Sequence, residues 1–306
     1  MNNILVIGNL LRDIYINLNP TKYQPELDEN SNFHIDLTFS ANTNLYTNRN
    51  VFYGGTAVTA ETLAIFNQKP LISDADFTKN LDFVLKNPDI DCRYIFTLDG
   101  QLTYFSPEKR QISTWTTPAH PLDWIFVDFS AQFNSSLTKS ITSYLALSQK
   151  TKLVVCLPNS PSPELLKVAK LANFIFTDQP DLSTNAKVCH ITNTSIRLND
   201  HLVNFSQTRQ HLLTHLTLKN LIASTVFGAL LSGETDASAL SFAKVHAENS
   251  IIGRSLSKTE LIHLIQKESE KADIRLIAKA LVSNQKGILA ADESGGSIHK
   301  KFTTLN

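Results

Sequence analysis

Residues 4–8 read ILVIG, a short apolar run that ends in glycine. A continuous apolar run of this length is typical of a strand that is buried on both faces of a parallel sheet. Similar runs recur along the chain and alternate with helix-like segments; they cover 69–73, 124–129, 153–157, 174–176 and 188–192. The alternation predicts an α/β fold, in which helices cover both faces of a mostly parallel central sheet.

Helical periodicity and turn signals divide the rest of the chain. The polar stretch 14–52 contains alternating pieces and predicts solvent-facing strands or a long excursion from the sheet. Asp99-Gly100 lies between two strand-like runs and predicts a hairpin. Helices are predicted over 57–66, 77–85, 137–147, 163–171, 216–231, 237–248 and 258–283.

The composition of the 306 residues is that of an ordinary globular protein. Lys and Arg number 28, and so do Asp and Glu, so the net charge is zero and nucleic acid is not expected as a partner. The sequence shows no apolar stretch that could cross a membrane. A signal peptide has basic residues before its apolar run, and here no Lys or Arg precedes the first apolar run. We therefore expect a cytoplasmic protein that binds neither membranes nor nucleic acid.

The cysteines and histidines do not suggest a metal or redox centre. The three cysteines form no CxxC pair, and Cys156 lies within an apolar run. Cys156 is therefore predicted to be a small buried residue and not a redox group or zinc ligand. The nine histidines show no HxH or HExxH spacing, so no metal site is predicted.

Three stretches of the chain share features with one enzyme family. They are VIGNLLRD at 6–13, GGTA at 54–57 and FGALLSG at 227–233. Together with the order of elements over about 1–253, these stretches resemble the PfkB (ribokinase-like) family of carbohydrate and nucleoside kinases.

This resemblance implies a ribokinase-like three-layer sandwich over 1–255 with a small β lid at about 14–52, through which family kinases often form homodimers. It also implies a sugar or nucleoside as the small-molecule partner; no cofactor is predicted outright, and Mg²⁺·ATP is expected only if the chain is an active kinase. The substrate-binding positions that it implies are Asn9, Asp13, Gly54 and Gly55. From the residues alone, Asp13 is equally a turn residue, and Gly54-Gly55 is equally a tight turn between a strand and a helix.

The phosphoryl-transfer motif of the family is Gly-Ala-Gly-Asp at a helix N-terminus, and this chain does not preserve it. In the family, the backbone N–H groups of the motif hold the transferred phosphoryl, and its aspartate takes the proton of the sugar hydroxyl. The residues at the corresponding positions here are Thr217, Leu218, Lys219 and Asn220. Neither glycine remains, and the amide of Asn220, at the position of the catalytic aspartate, is not a useful base. Lys219 is interpreted as a solvated helix charge in preference to an ATP contact.

Other family signatures are also altered. The nucleotide loop, which contains glycine in the family, is replaced by TNTS at 192–195, and Thr59 stands where asparagine is usual. Residues 101–227 contain no glycine, although close backbone approach to a phosphate usually needs glycine. A shift in the alignment would let Asp178 or Asp236 serve as the base, but neither is followed by glycine.

The last part of the chain resembles a different family. The string KGILAADES at 286–294 and its surroundings, from about 274 onward, are similar to the N-terminal segment of class I fructose-bisphosphate aldolases. The resemblance places Asp292 near the Schiff-base lysine of a (β/α)₈ barrel, but that lysine lies further along than this sequence reaches. The segment 256–306 is therefore interpreted as a linker helix followed by one strand of an incomplete barrel.

Two functions follow from these resemblances. The first is a catalytically impaired PfkB-like domain that serves as a binding or regulatory module of a kinase-like/aldolase fusion. The alternative is an active carbohydrate or nucleoside kinase with atypical motifs, which would use Mg²⁺·ATP. Aldolase chemistry would require a covalently linked aldolase domain beyond Asn306.

Overall fold

A computed structural model gives the structure of the chain. The chain divides into two compact units, Met1–Lys258 and Thr259–Asn306. The structure describes residues 1–18, 26–27, 33–34, 46–74, 77–80, 91–98, 101–105, 111–112, 121–128, 132–133, 135–179, 182, 184–206, 215–249 and 256–267.

The central sheet has nine strands within the described residues. They are β1 (Asn3–Ile7), β6 (Lys69–Asp74), β7 (Phe77–Asn80), β11 (Trp124–Asp128), β13 (Lys152–Cys156), β14 (Phe174–Thr177), β15 (Lys187–Ile191), β16 (Ser195–Leu198) and β17 (His201–Asn204). The order across the sheet is β17-β16-β15-β14-β13-β11-β1-β6-β7. The strands from β15 to β6 pair in parallel, and the outer strands β16, β17 and β7 pair antiparallel. The predicted α/β fold with a mostly parallel sheet is confirmed.

Four other strands form a second, smaller sheet that is separate from the central sheet. It consists of β2 (Leu10–Leu18), β5 (Tyr46–Gly55), β8 (Asp91–Leu98) and β9 (Gln101–Phe105), in the order β5-β2-β8-β9. Strands β2 and β5 are antiparallel, with Leu10 opposite Gly55, so the chain leaves and rejoins the central sheet at neighbouring points. Two short pairs complete the described strands: β3 (Glu26–Leu27) with β4 (Phe33–His34), and β10 (Gln111–Ile112) with β12 (Gln132–Phe133).

The described ranges contain six helices, five in the first unit and one that falls almost entirely in the second. They are α1 (Thr56–Ile65), α2 (Ser135–Leu147), α3 (Pro163–Ala169), α4 (His215–Leu231), α5 (Asp236–Asn249) and α6 over 258–267. The start of α3 shows how sequence sets a boundary, because Ser162 Oγ accepts a hydrogen bond from the backbone N–H of Leu165 and Pro163 occupies the first turn. No described helix combines the length and hydropathy that crossing a membrane would require.

Apolar side chains on both faces of the central sheet form the core. On one face, Phe227 of α4 packs edge-on against Trp124, with ring centroids 5.0 Å apart, and also contacts Phe126 and Phe174. The other face packs against α2 and α3. The buried cluster on this side combines the strand residues Leu5, Ile7, Ile125, Val127, Leu153, Val155 and Ile175 with the helix residues Leu137, Ile141 and Val168. The sheet thus lies between two helical layers, as a sandwich requires.

The segment 77–85 was predicted as a helix, and this prediction is wrong for the part that the structure describes. Phe77–Asn80 forms the edge strand β7, in which Lys79 lies opposite Ile72 of β6. A short segment has too few residues for its periodicity to distinguish the two states, and pairing with β6 decides the outcome. Residues 81–85 lie outside the described ranges, and so does the aldolase-like string with Asp292.

A buried histidine joins the helices α4 and α5. His246 is fully buried, and its Nδ1 lies 2.8 Å from Thr225 Oγ1. The hydroxyl of Thr225 donates to the carbonyl of Leu221, so it accepts from His246, which therefore carries its proton on Nδ1. Burial lowers the pKa of His246 to about 4.

We expect acid to destabilise the fold through His246. Its pKa is lower in the folded state than its ordinary value near 6.5, so its contribution to stability is complete above about pH 6.5. That contribution is lost as the pH falls toward 4 and amounts to about 3 kcal/mol when fully lost. Urea unfolding at several pH values should show this additional loss in the wild type and not in H246N, which cannot take up the proton. Parallel pH profiles for the two proteins would contradict the prediction.

Candidate functional site

Several of the residues predicted to form a site, among them Asn9, Lys219 and Asn220, lie at the carboxyl edge of the central sheet. Strands β1, β11, β13 and β14 are parallel neighbours, so their carboxyl ends lie side by side. Open α/β sheets bind ligands at this edge. The residues at or just after the strand ends are Gly8, Asn9, Asp128, Cys156, Leu157, Thr177 and Asp178.

Gly55 makes a close crossing with the segment that follows β1. Its backbone has φ 56° and ψ −130°, which glycine adopts and other residues rarely do. A Cβ at this position would overlap the carbonyl oxygen of Asn9, and that oxygen also accepts a 2.7 Å hydrogen bond from the N–H of Thr56. The second glycine of the predicted pair is therefore required by the turn into α1. Gly54 is buried beside it and lies opposite Leu11.

Asn9 presents an unused acceptor at this crossing. Its side-chain Oδ1 is buried and has no hydrogen-bond partner. Gly8 is tightly enclosed as well, because a Cβ there would lie 2.9 Å from Thr56 Cγ2 and 3.0 Å from Asp128 Cβ. Buried acceptors without partners are unfavourable, so Asn9 Oδ1 suits a ligand hydroxyl or amine. Thr59 does not extend this set, because its hydroxyl bonds the Gly55 carbonyl at 3.3 Å.

Asn220 and Asp128 form a buried pair at the centre of the edge. The Nδ2 of Asn220 donates a 2.9 Å hydrogen bond to Oδ2 of Asp128. Both side chains are buried, with exposed fractions of 2% and 1%. The carboxylate of Asp128, at the end of β11, thus orients the amide of Asn220. Toward Asp128 this amide presents a hydrogen-bond donor and not a proton acceptor.

Lys219 is buried, and its interpretation as a solvated helix charge is wrong. Its side chain is 5% exposed, and Nζ donates a 2.6 Å hydrogen bond to the carbonyl oxygen of Leu157. Leu157 directly follows β13, whose neighbour β11 ends with Asp128. The helix α4 therefore directs this ammonium group toward the carboxyl edge of the sheet.

The thiol of Cys156 lies within reach of both charges. It is buried and free, as predicted, and it lies opposite Asp128 in the register of β13 and β11. Burial raises the pKa of Cys156 well above its ordinary value; the charge of Asp128 raises it further, and that of Lys219 opposes the increase. The thiol is therefore held in its neutral form, as a small packing residue.

The positions 217–220 lie within helix α4. Helix α4 already begins at His215, so Lys219 and Asn220 lie beyond the four N–H groups that a helix leaves unsatisfied at its start. Leu218 is buried, and the ammonium of Lys219 is engaged with Leu157. Of Thr217, the structure describes only the helical backbone. None of the four residues is glycine, and all four have helical backbone.

The turn at 192–195 is closed by its own hydroxyl groups. Thr192 Oγ1 accepts from the backbone N–H of Ser195 at 3.0 Å and from that of Thr194 at 3.3 Å. The backbone N–H of Thr192 in turn donates to the carbonyl of Ser195 at 2.9 Å. The turn joins β15 and β16, and three of its backbone N–H groups, those of Thr192, Thr194 and Ser195, are already occupied.

The two alternative bases differ in their surroundings. Asp236 accepts hydrogen bonds from Lys187 Nζ at 2.5 Å and from Asn199 Nδ2 at 2.6 Å. Burial raises its pKa, but these hydrogen bonds outweigh burial, and the pKa of Asp236 lies below its ordinary value. A carboxylate held in this way is a weak base. Asp178 follows β14, and its Oδ1 is buried without a hydrogen-bond partner.

The structure places the predicted residues as follows. Asn9, Gly55, Lys219 and Asn220 come together at the carboxyl edge of the central sheet. Asp13 lies in β2 between Phe52 and Arg93 in register, and only its backbone is described. Asp128 was missed, although a carboxylate that ends an apolar strand was a signal that could have found it. In the described ranges, no three His, Cys, Asp or Glu side chains are grouped to hold a metal ion.

Comparison with known proteins identifies the fold. No protein-family model matches the sequence, and a search of the curated proteins found no match. Among solved structures, the chain is similar to a ribokinase of Arabidopsis thaliana complexed with ribose and ATP, with a TM-score of 0.55 and 11% identity over 86% of this chain and 98% of that one. A nucleoside kinase of Burkholderia thailandensis in complex with inosine has a TM-score of 0.52 and 13% identity, with coverage of 86% and 98%. Phosphofructokinase-2 of Escherichia coli has a TM-score of 0.54 and 8% identity, with coverage of 88% and 100%. At these identities the likeness concerns the fold alone, and it shows that this chain has the ribokinase-like α/β fold.

Proposed function

We propose that this chain is a ribokinase-like domain that binds a sugar or nucleoside without transferring a phosphoryl group from ATP. The observation that carries the proposal is the 2.9 Å hydrogen bond from Asn220 Nδ2 to Asp128. This bond supports a role of residue 220 as a hydrogen-bond donor. Phosphoryl transfer in this fold needs a proton acceptor at that position. The loss of base and anion-holding donors together is expected to cost roughly 10³-fold or more in rate.

The ligand class is inferred from the edge of the sheet. The unpartnered Oδ1 of Asn9 suits a hydroxyl donor, and the similar structures were solved with ribose and with inosine. We propose that the ligand lies on residues between the central sheet and the second sheet. These residues are Asn9, Asp13, Gly54 and Gly55.

The wider role is proposed from the sequence resemblance. We infer a binding or regulatory module at 1–255, joined through 256–306 to an aldolase domain in a longer, cytoplasmic protein. A homodimer through the second sheet, the predicted lid, belongs to the same proposal. Mass spectrometry of the native protein in its cells would test the fusion, because a product of about 34 kDa would contradict it.

The experiment that tests the central proposal separates binding from catalysis. Purified protein is incubated with Mg²⁺·ATP and pools of sugars and nucleosides, and ADP formation is measured alongside calorimetric titration with the same pools. We expect binding of at least one neutral ligand, weakened by N9A, and no ADP above the level of a ligand-free control. Robust ATP-dependent phosphorylation of any sugar or nucleoside would overturn the proposal.

A second candidate function is an active kinase with atypical motifs. The observation that favours it is a buried carboxylate, Asp128, one hydrogen bond away from the position of the usual base. In that case Asp128 would take the proton of the ligand hydroxyl. If phosphorylation is found, D128N should abolish it while leaving ligand binding measurable, and N220A should have a smaller effect.

A further inference from the structure

We propose that Gly8 is a positioning residue for ligand binding, because its missing side chain lets Thr56 close on the end of β1 and hold Asn9 in place. Asn9 carries the acceptor to which the proposed function assigns a ligand hydroxyl, so this inference rests on the proposed function. Gly8 acts through Thr56 and Asn9 and is not itself a ligand contact.

The chain needs glycine at position 8 for space and not for backbone conformation. Gly8 is buried, and among the described glycines only Gly55 and Gly233 have a positive φ. A Cβ at position 8 would lie 2.9 Å from Thr56 Cγ2 and 3.0 Å from Asp128 Cβ, whereas carbon atoms pack best at about 3.5–4.0 Å. An alanine there would therefore displace a neighbour without straining its own backbone.

Neither neighbour of Gly8 can move away without disturbing a contact. Asp128 ends β11, which pairs with β1 as far as Val127 opposite Ile7, so the sheet holds its Cβ. Thr56 is fully buried; its Oγ1 donates to the Asn9 carbonyl at 3.2 Å, and its N–H donates to the same oxygen at 2.7 Å. Rotation of the Thr56 side chain breaks the first of these hydrogen bonds, and a shift of the helix α1 lengthens both.

The two hydrogen bonds from Thr56 hold the residue that carries the ligand acceptor. Asn9 Oδ1 is buried and has no hydrogen-bond partner, so this oxygen forms no bond of its own that would keep the residue in position. Displacement of the Asn9 carbonyl also moves the side chain of the same residue. Because hydrogen bonds tolerate only a narrow range of distance and angle, a small shift of Thr56 is expected to weaken ligand binding at Asn9.

Calorimetric titration with ribose and with inosine tests this role. We expect G8A to weaken binding about tenfold, which is the order of one well-formed hydrogen bond. G8A/T56S should recover most of the affinity, because serine lacks the Cγ2 that the new Cβ meets and keeps the hydroxyl that bonds Asn9. G8A/T62S is the matched control. Thr62 is buried in the same helix, but the three atoms nearest to that Cβ belong to Thr56 and Asp128, so T62S should recover nothing.

Combination with N9A separates positioning from general destabilisation. If Gly8 acts through Asn9, G8A should change the affinity of N9A by less than about twofold, whereas a loosened fold would weaken binding equally in both backgrounds. The titrations are made well below the Tm of each variant, so that unfolding does not contribute. If G8A fails to fold, T56V replaces it, because valine keeps the volume and removes only the hydroxyl that bonds Asn9. T56V should weaken binding about threefold, and not in the N9A background.

Three results would overturn the role of Gly8 while leaving the proposed function intact. They are equal affinities of G8A and the wild type, recovery by T62S, and an equal loss with and without N9A. Binding of neither ribose nor inosine by the wild type would instead contradict the proposed ligand class, and with it the role of Gly8 in binding. That failure is distinguishable, because it is seen in the wild type before any variant is made.

Discussion

N220D is expected to lower the stability of the protein by about 4 kcal/mol at neutral pH, which corresponds to a fall in Tm of roughly 10 °C. The substitution exchanges an amide that donates to Asp128 for a second carboxylate at 2.9 Å. Two buried carboxylates at this distance cannot both ionise, so one must hold a proton or leave the site. Thermal unfolding at pH 7 and at pH 5 measures the effect, and the loss should be smaller at pH 5, where the shared proton is more readily bound.

The exchanged pair D128N/N220D is the matched control for this prediction. It restores one amide and one carboxylate in the same space, so most of the lost stability should return. Recovery would show that the chemistry of the pair, and not the shape of position 220, determines the loss. If the exchanged pair is as unstable as N220D, the hydrogen bond at 2.9 Å is not the cause.

N220D also informs on function. A large gain of phosphorylation activity in N220D or in the exchanged pair would indicate a disabled kinase whose remaining site is intact. Little change in an already active protein would favour another base and support the second candidate function. The stability measurement must accompany the assay, because a protein that is partly unfolded at the assay temperature loses activity for an unrelated reason.

G55A is expected to destabilise the protein by about 4 kcal/mol or to prevent folding. Gly55 has a positive φ of 56°, and a Cβ there would overlap the Asn9 carbonyl, which is backbone and cannot rotate away. G233A is the control, since Gly233 also has a positive φ, of 90°, but a Cβ added to it would meet no atom within 4 Å. G233A should cost only about 1 kcal/mol. Circular dichroism melts of the two variants make the comparison, and equal losses would show that the close crossing does not matter.

This comparison also separates two interpretations of the glycine pair. A tight turn and a ligand contact were equally compatible with the sequence, and the backbone conformation of Gly55 supplies a structural reason for the turn. Ligand contact at Gly54 and Gly55 stays a prediction. Binding measured with N9A tests ligand contact at the neighbouring Asn9, whose backbone carbonyl in the turn is retained.

Much of the fold could be predicted because its strands are buried on both faces and therefore apolar without interruption. The runs that became β1, β11, β13 and β14 are of this kind, and the helix α4 was predicted to within one residue of its start. The strand β7 was missed because its pairing with β6, and not its own residues, determines its state. Local sequence predicts a strand well where burial requires an uninterrupted apolar run. It predicts an edge strand poorly, because the hydrogen bonds to the adjacent strand determine its state.

The candidate site was harder to predict for a related reason. Asn220 was identified from its place in a motif, but nothing in the sequence near Asn220 indicates that Asp128 faces it from 92 residues away. Lys219 was predicted to be solvent-exposed because lysine is rarely buried. The carbonyl that accepts its hydrogen bond belongs to Leu157, 62 residues earlier. Both contacts exist only after parallel strands and α4 have packed together. Burial of a charged residue is a property of the assembled edge, which a single sequence does not display.

The hydrogen bond between Thr56 and Asn9 closes the base of the excursion that forms β2 and β5. Because this closure is made by backbone and glycine, it does not depend on what the excursion contains. The entropy of closing a loop rises only with the logarithm of its length, and doubling the length costs about 0.6 kcal/mol. Evolution can therefore lengthen, shorten or replace residues 10–54 while β1 and α1 keep their places. The second sheet is therefore the part of this fold whose length and sequence can change most without moving β1 and α1.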